Sequence, residues 1–231
     1  GKWPAGGDEV YAFIQCVGSR TENRAYCSRT CCRQTVVTAK KIREINPAAQ
    51  VYVFYRDLRL PGYEELKYQA AREAGVIFFP YRETAQPELR RNDEGELVLT
   101  AREAVSGLTV TISPAKVILA AGQAPPPATA ALARLLGLQV SEDGFFRETH
   151  AGLGTIGFPG GGIWVAGAAQ GPKPAAACIA QARGVAARAA GLLARRVLRL
   201  GGIIAEVDES KCAACLTCVR VCPFGVPRLD R

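Results

Sequence analysis

Four cysteines near the C-terminus stand as Cys212-x2-Cys215-x2-Cys218-x3-Cys222, with Pro223 directly after the last. Two residues between successive cysteines let one tight loop present three thiolates to one cubane, and a proline after the fourth turns the chain away. This is the spacing of the bacterial ferredoxin run for a [4Fe–4S] cluster. Zinc would more often use two separated C-x2-C pairs, and a disulfide framework would rarely give this run. In two-cluster ferredoxins the fourth cysteine of each run ligates the other cluster. The 231 residues hold one such run, so either Cys222 closes a single local cluster or the second run lies outside them. Because only nine residues follow Cys222 and a half-ferredoxin is too small to bury a core, truncation is the expectation.

A second set, Cys16, Cys27, Cys31 and Cys32, puts four thiols within 17 positions. Three of them fall at the expected start of a helix, whose dipole favours anionic thiolates, so the set is a candidate metal site. Adjacent Cys31 and Cys32 cannot pair easily as a disulfide, and a chain carrying a ferredoxin run belongs in a reducing compartment. The alternative is that two or three of these cysteines are small core residues. The ninth, Cys178, lies in an alanine-rich helical stretch and reads as core, and the single His150 reads as an exposed loop residue. No acid, base or nucleophile pair for bond-breaking chemistry stands out, so no catalytic residue is assigned.

These residues need a scaffold. Tyr11–Gln15 reads as a short buried strand running into Cys16, and a helix should start near Ser28, with apolar spacing from Thr35 to Ile45 and a stop at Asn46-Pro47. Val51–Tyr55 predicts a second strand, Tyr63–Ala74 a second helix ended by Gly75, and Val76–Phe79 a third strand. The order β-α-β-α-β is half of a doubly wound α/β nucleotide-binding fold. In such a fold the first strand should open into G-x-G-x-x-G, and here the loop carries cysteines instead. A literal G-x-G-x-x-G at Gly152–Gly157 follows no convincing strand and opens into further glycines, so it reads as a loop. Residues 95 to 110 predict a strand meander leading to a strand at Val117–Gly122.

With 48% hydrophobic residues the chain can bury a substantial core. It has no run of eighteen apolar residues to span a bilayer, no apolar signal stretch at its start and no methionine, which predicts a cytoplasmic protein beginning at an internal or processed position. The formal net charge of +8 points first to nucleic acid. A cubane in its 2+ state with four thiolates carries roughly −2, however, and two such sites would bring +8 to roughly +4. Arg188, Arg195, Arg196 and Arg199 fall mostly on one side of an expected helix, which reads as a solvated face. No nucleic-acid partner is therefore expected, and a basic surface could equally steer an acidic electron-transfer partner.

The stretches Phe13-Ile14-Gln15-Cys16-Val17-Gly18-Ser19-Arg20 and Tyr26-Cys27-Ser28-Arg29-x-Cys31-Cys32 resemble the signature of the A subunit of heterodisulfide reductases. The resemblance continues through Tyr55-Arg56-Asp57-Leu58-Arg59, Gly62-Tyr63-Glu64-Glu65 and Glu73-Ala74-Gly75-Val76-x-Phe78. It resumes from Gly162 to Lys173 and in the ferredoxin run, so most of the chain is covered. It implies a partial thioredoxin-reductase-like, two-dinucleotide-binding (Rossmann-like) α/β domain with a C-terminal ferredoxin-like segment. Such a chain passes electrons between FAD, [4Fe–4S] clusters and partner subunits. Under this resemblance Cys16, Cys27, Cys31 and Cys32 hold a cluster where relatives of the fold hold NAD(P).

The strand ending at Ala121 and Gly122 matches the point where two-dinucleotide flavoproteins return to the flavin domain, and Gly162–Gly167 matches the second flavin signature, whose strand ends in small residues beside the cofactor. The implied flavin contacts are Ala121, Gly122, Gly167, Ala168, Gln170, Gly171, Pro172 and Lys173, a half-site whose ADP-binding fingerprint would precede residue 1. The expected division is a Rossmann-like domain at 1–114, the returning half of the FAD domain at 115–204 and a ferredoxin-like segment at 205–231. Implied partners are other subunits of an oxidoreductase complex, with ferredoxin or a hydrogenase or dehydrogenase linker subunit among them. Bifurcating members carry a lysine five residues after the cysteine pair, where this chain has Val37. Two alternatives stay open: a non-bifurcating relative in a quinone-interacting membrane-bound complex, and a docking module whose metal is structural.

Overall fold

The computed structural model describes residues 8–150, 152, 154–159, 161–195, 197, 205–222 and 226–228. They form two compact units, one running to Leu192 and the other starting at Leu193.

The larger unit is built on β1 (Val10–Val17), α1 (Cys31–Ile45), β2 (Gln50–Tyr55), α2 (Glu65–Glu73) and β3 (Ile77–Pro80). β1 is buried along most of its length because parallel strands pair on both sides of it and layers cover both faces. Side chains alternate between those faces, as the period of two requires. Tyr11, Phe13, Val51 and Val53 point into one core with Val36, Ala39 and Ile42 of α1 and Ala71 of α2. Ala12, Ile14 and Phe54 point into the other, with Tyr81, Leu99 and Ala101. Helix α1 ends at Asn46, whose backbone is extended (φ −130°, ψ 91°), because Pro47 disfavours the helical region for the residue before it.

The chain then makes an antiparallel meander of β4 (Glu88–Arg91), β5 (Leu97–Arg102) and β6 (Thr109–Ile112). It returns as β7 (Lys116–Ala121), which runs parallel to β1 on the side away from β2. The four-stranded sheet therefore has the order β3-β2-β1-β7. The division expected at 114/115 separates β7 from the sheet that it completes, a non-local pairing of Tyr11 with Lys116 that no local pattern reveals. Strand order reverses between β1 and β7. In open α/β sheets that switch point opens a crevice beyond the carboxyl ends of the strands.

Beyond β7 come α3 (Thr129–Leu136) and α4 (Ala175–Leu193), joined by loops that carry isolated bridges. The strand expected to end at Gly167 is present as a single bridge between Gly157 and Trp164, because among the described residues no extended neighbour pairs further along it. At the literal glycine motif, Gly154 bridges back to His150, and among the described residues no α-helix follows until α4, in line with the loop reading. Arg188 is exposed on α4 and Arg195 is exposed just after it, while Arg196 and Arg199 lie outside the described residues. In the smaller unit, a 3-10 turn at Glu209–Lys211 precedes α5 (Thr217–Val221). No described helix is long and apolar enough to cross a membrane.

Candidate functional site

Five non-glycine residues among those described have left-handed backbone: Cys16 (φ 62°), Arg20 (φ 56°), Arg29 (φ 58°), Ala214 (φ 50°) and Leu216 (φ 60°). All five fall in the two cysteine-bearing stretches, Cys16 at the end of β1 and the others in the loops. Each costs roughly 1–2 kcal/mol relative to ordinary backbone and persists only where the surroundings over-determine it, as at functional sites.

The first set sits at the switch point. β1 shifts register against β7 between Ile14 and Val17, and this irregularity with left-handed Cys16 re-aims the thiol at the strand end. Cys31 and Cys32 open α1 and are buried, while Cys16 and Cys27 are partly exposed. The loop between strand and helix is strapped to the end of β7. Gln123 N–H donates to Ser28 Oγ at 2.9 Å, Tyr26 Oη donates to the Gln123 carbonyl at 2.8 Å, and Gly122 N–H donates to the Val17 carbonyl at 2.7 Å. A Cβ on Gly122 would lie 2.6 Å from the Gly18 carbonyl oxygen, so only glycine lets the two strand ends approach this closely. Gly122→Ala is expected to destabilise the larger unit by about 1–3 kcal/mol in urea unfolding. Gly191→Ala, in open space on α4, should not destabilise it.

The thiols act on one another. Cys32 is pushed down by a hydrogen bond from Cys31, against the opposing effect of burial and with help from the Arg59 backbone and the Arg20 and Arg59 charges. Cys31 is raised as the donor in that pair, by burial, and by the nearby Cys32, Cys16 and Cys27. Burial raises Cys16, offset in part by Arg20. Arg29 N–H donates to Cys27 Sγ at 3.3 Å. Among the described residues no three His, Cys, Asp or Glu side chains close on a single metal ion. A cubane differs, since each thiolate binds a different iron and the four sulfurs must stand further apart than around one ion. Four interacting thiols between a strand end and a helix start, with guanidiniums around them, are a donor set suited to an anionic cluster.

The flavin-signature residues are not gathered in one cavity: Ala168 lines one with Gln123 and Phe146, while Gln170 to Lys173 line another. Ala121 ends β7 with Gly122 after it, and Gly167 and Ala168 form a 3-10 turn with Ala169. Gly167 N–H donates to Gln181 Oε1 at 2.8 Å, Gln170 Nε2 donates to the Thr155 carbonyl at 2.7 Å, and Lys173 Nζ donates to Gln170 Oε1 at 3.0 Å. Gln170, Gly171, Pro172 and Lys173 line a cavity of about 680 Å³ together with Tyr26 and Cys27. Burial lowers the Lys173 ammonium, and Glu148, on the same cavity, is held low by its own backbone N–H, by Gln170 and then by Lys173. Half-buried Cys178 lies beside Gly167 and donates weakly to the Lys173 carbonyl at 3.8 Å.

In the smaller unit, Cys212, Cys215 and Cys218 are exposed and Cys222 is partly so. Left-handed Ala214 and Leu216 flank Cys215, curling the loop before α5 starts at Thr217. The Thr217 hydroxyl and backbone N–H hold the Cys215 thiol below its usual value. Asp208 caps the preceding turn by accepting from Ser210 N–H at 3.1 Å. Pro223 lies outside the described residues.

Sequence reasoning does not single out Arg20, Arg56, Asp57 and Arg59 as a group. The signal is available, because the stretch ending at Arg20 and the stretch Tyr55–Arg59 both carry the family resemblance.

Fold and cysteines together define an α/β iron–sulfur protein: a Rossmann-like unit with thiols at its switch point, followed by a segment, residues 204–227, that matches the 4Fe-4S binding domain family. By sequence the chain is similar over nearly its whole length to heterodisulfide reductase A subunits, and it spans about a third of the length of the relatives it matches. The A subunit, an iron-sulfur subunit, of the CoB--CoM heterodisulfide reductase of Methanocaldococcus jannaschii is 36% identical over 239 aligned positions, covering 96% of this chain and 36% of that protein. The A subunit of the H(2):CoB-CoM heterodisulfide,ferredoxin reductase of Methanothermobacter thermautotrophicus is 34% identical over 223, covering 95% and 33%. Among solved structures, T. acidophilum thioredoxin reductase has 16% identity and a TM-score of 0.48, covering 80% of this chain and 51% of that one.

Proposed function

We propose that this chain is an electron-transfer segment of a flavin and iron–sulfur oxidoreductase, passing electrons between FAD and [4Fe–4S] clusters held by Cys16, Cys27, Cys31 and Cys32 and by Cys212, Cys215, Cys218 and Cys222. The observation that carries this reading is the shared cavity: Cys27 of the first thiol set and Gln170, Gly171, Pro172 and Lys173 of the flavin signature line one space. Bound there, FAD would supply exchange between one- and two-electron chemistry.

The chain's own residues bind and orient. Gly122 and Gly167 let the backbone come close, Ala168 leaves room, and the Gln170 amide is held by Thr155 and Lys173 so that its orientation is set. Lys173, with its charge disfavoured by burial, places a cation in the cavity beside Cys27. Such a cation would stabilise negative charge that accumulates on reduction. Bond-breaking on a substrate belongs, in this reading, to partner subunits of the complex, with ferredoxin or a hydrogenase or dehydrogenase linker subunit as electron partners.

Anaerobic purification tests the reading. The chain should be brown, with about four iron and four sulfide for each cysteine set. Colourless protein loaded with zinc would overturn it.

A further inference from the structure

The first thiol set stands inside a group of arginines that iron ligation itself does not require. Arg20 Nη1 lies 4.0 Å from Cys16 Sγ. The same nitrogen is paired with Asp57, which also accepts from Arg59 Nε at 3.1 Å. Arg56 Nη1 donates to the Arg20 carbonyl at 2.7 Å and its other amino group pairs with Glu83. Three guanidiniums against two carboxylates leave one surplus positive charge beside the thiols (3 − 2 = 1). Surface ion pairs commonly contribute little, but the Arg20 and Arg56 side chains are only 19% and 14% exposed, where charge is poorly screened. Arg20 is also held in left-handed backbone, and its N–H donates to the Tyr26 carbonyl at 3.1 Å. A solvated arginine would need none of this framework.

We infer that Arg20 is a positioning residue for electron transfer: aimed at Cys16 Sγ by Asp57 and by its left-handed backbone, its guanidinium raises the midpoint potential of the cluster at Cys16, Cys27, Cys31 and Cys32. The inference rests on the proposal that these four cysteines hold a cluster. Uptake of one electron from a one-electron donor adds one negative charge to the four-thiolate assembly, with no bond made or broken and no proton moved. A fixed cation with an N–H directed at a ligand sulfur stabilises the more negative state more than the less negative one. Arginine suits the position because it stays charged and presents a rigid fork of donors.

The test uses the full chain, purified anaerobically in a Cys215→Ser background so that the first set is observed alone. Iron and sulfide are counted, and the midpoint potential is read by EPR during stepwise reduction with dithionite. Arg20→Gln should keep its iron and show a more negative potential, Arg20→Lys should fall between it and the parent, and Lys41→Gln, an exposed cation on α1, should leave the potential unchanged. An iron-loaded Arg20→Gln or Arg20→Lys chain with the parent potential overturns the inference. So does loss of iron in both Arg20 variants, which would make the residue structural. A Cys215→Ser chain with no cluster signal before any change at Arg20 defeats the underlying cluster reading, and the inference with it.

Discussion

Replacing Cys32 by serine should strip the chain of one cluster, about four iron and four sulfide, while the C-terminal set keeps its own. Cys32 is 4% exposed, opens α1, and is drawn toward the thiolate form by Cys31, Arg59 and Arg20. A serine hydroxyl there would stay protonated and is a poor ligand for iron, while the shape of the helix start is nearly preserved. The loss should therefore be chemical rather than a collapse of the fold. Metal and sulfide analysis with far-UV circular dichroism separates the two. Unchanged iron in a folded Cys32→Ser chain would contradict the assignment of the first set.

The second large effect is on stability. Phe54→Ala is expected to cost the larger unit about 3–5 kcal/mol. Phe54 is fully buried on β2, with its ring centroid 5.3 Å from that of Phe79. It shares a core with Ala12, Ile14, Tyr81, Leu99 and Ala101, so it fills the layer between the parallel sheet and the meander. Removing the ring leaves a cavity that strands hydrogen-bonded on both sides cannot close by moving. For a unit of this size the melting temperature should fall on the order of 10 °C. The same layer holds Tyr81, whose hydroxyl donates to the Gln15 carbonyl at 2.8 Å, one residue before Cys16. Cluster retention should accordingly weaken alongside stability. A urea midpoint close to that of the unaltered chain would show that the meander is held by other contacts.

Several features are legible in residue order alone because their causes are local. The ferredoxin run needs one loop, α1 needs apolar residues on one face and a stop at Asn46-Pro47, and buried strands such as β1 and β2 announce themselves as apolar runs. The expected β1, β2 and β3 and the first two helices all have counterparts within about three residues at their ends. The meander reads as strand-like from residue 95 onward, but β4 begins earlier, at Glu88, and is exposed throughout, so no alternation of burial marks it. The strand expected before Gly167 reduces to one bridge, since a strand exists only with a partner.

What residue order determined by itself is the chemistry: thiols in two sets, one at ferredoxin spacing, on an α/β chain whose first strand opens into cysteines instead of a glycine-rich loop. What only the tertiary structure decided is which groups surround those thiols. Arg20 meets Asp57 across 37 positions, Ser28 meets Gln123 across 95, and Cys27 shares a cavity with Lys173. Each of these depends on β7 pairing beside β1 rather than elsewhere, or on β2 following β1 in parallel. Spacing along a loop is set by covalent geometry and can be read directly. Proximity across a sheet follows from strand order, which the burial of both faces of β1 selects only when the whole chain has packed.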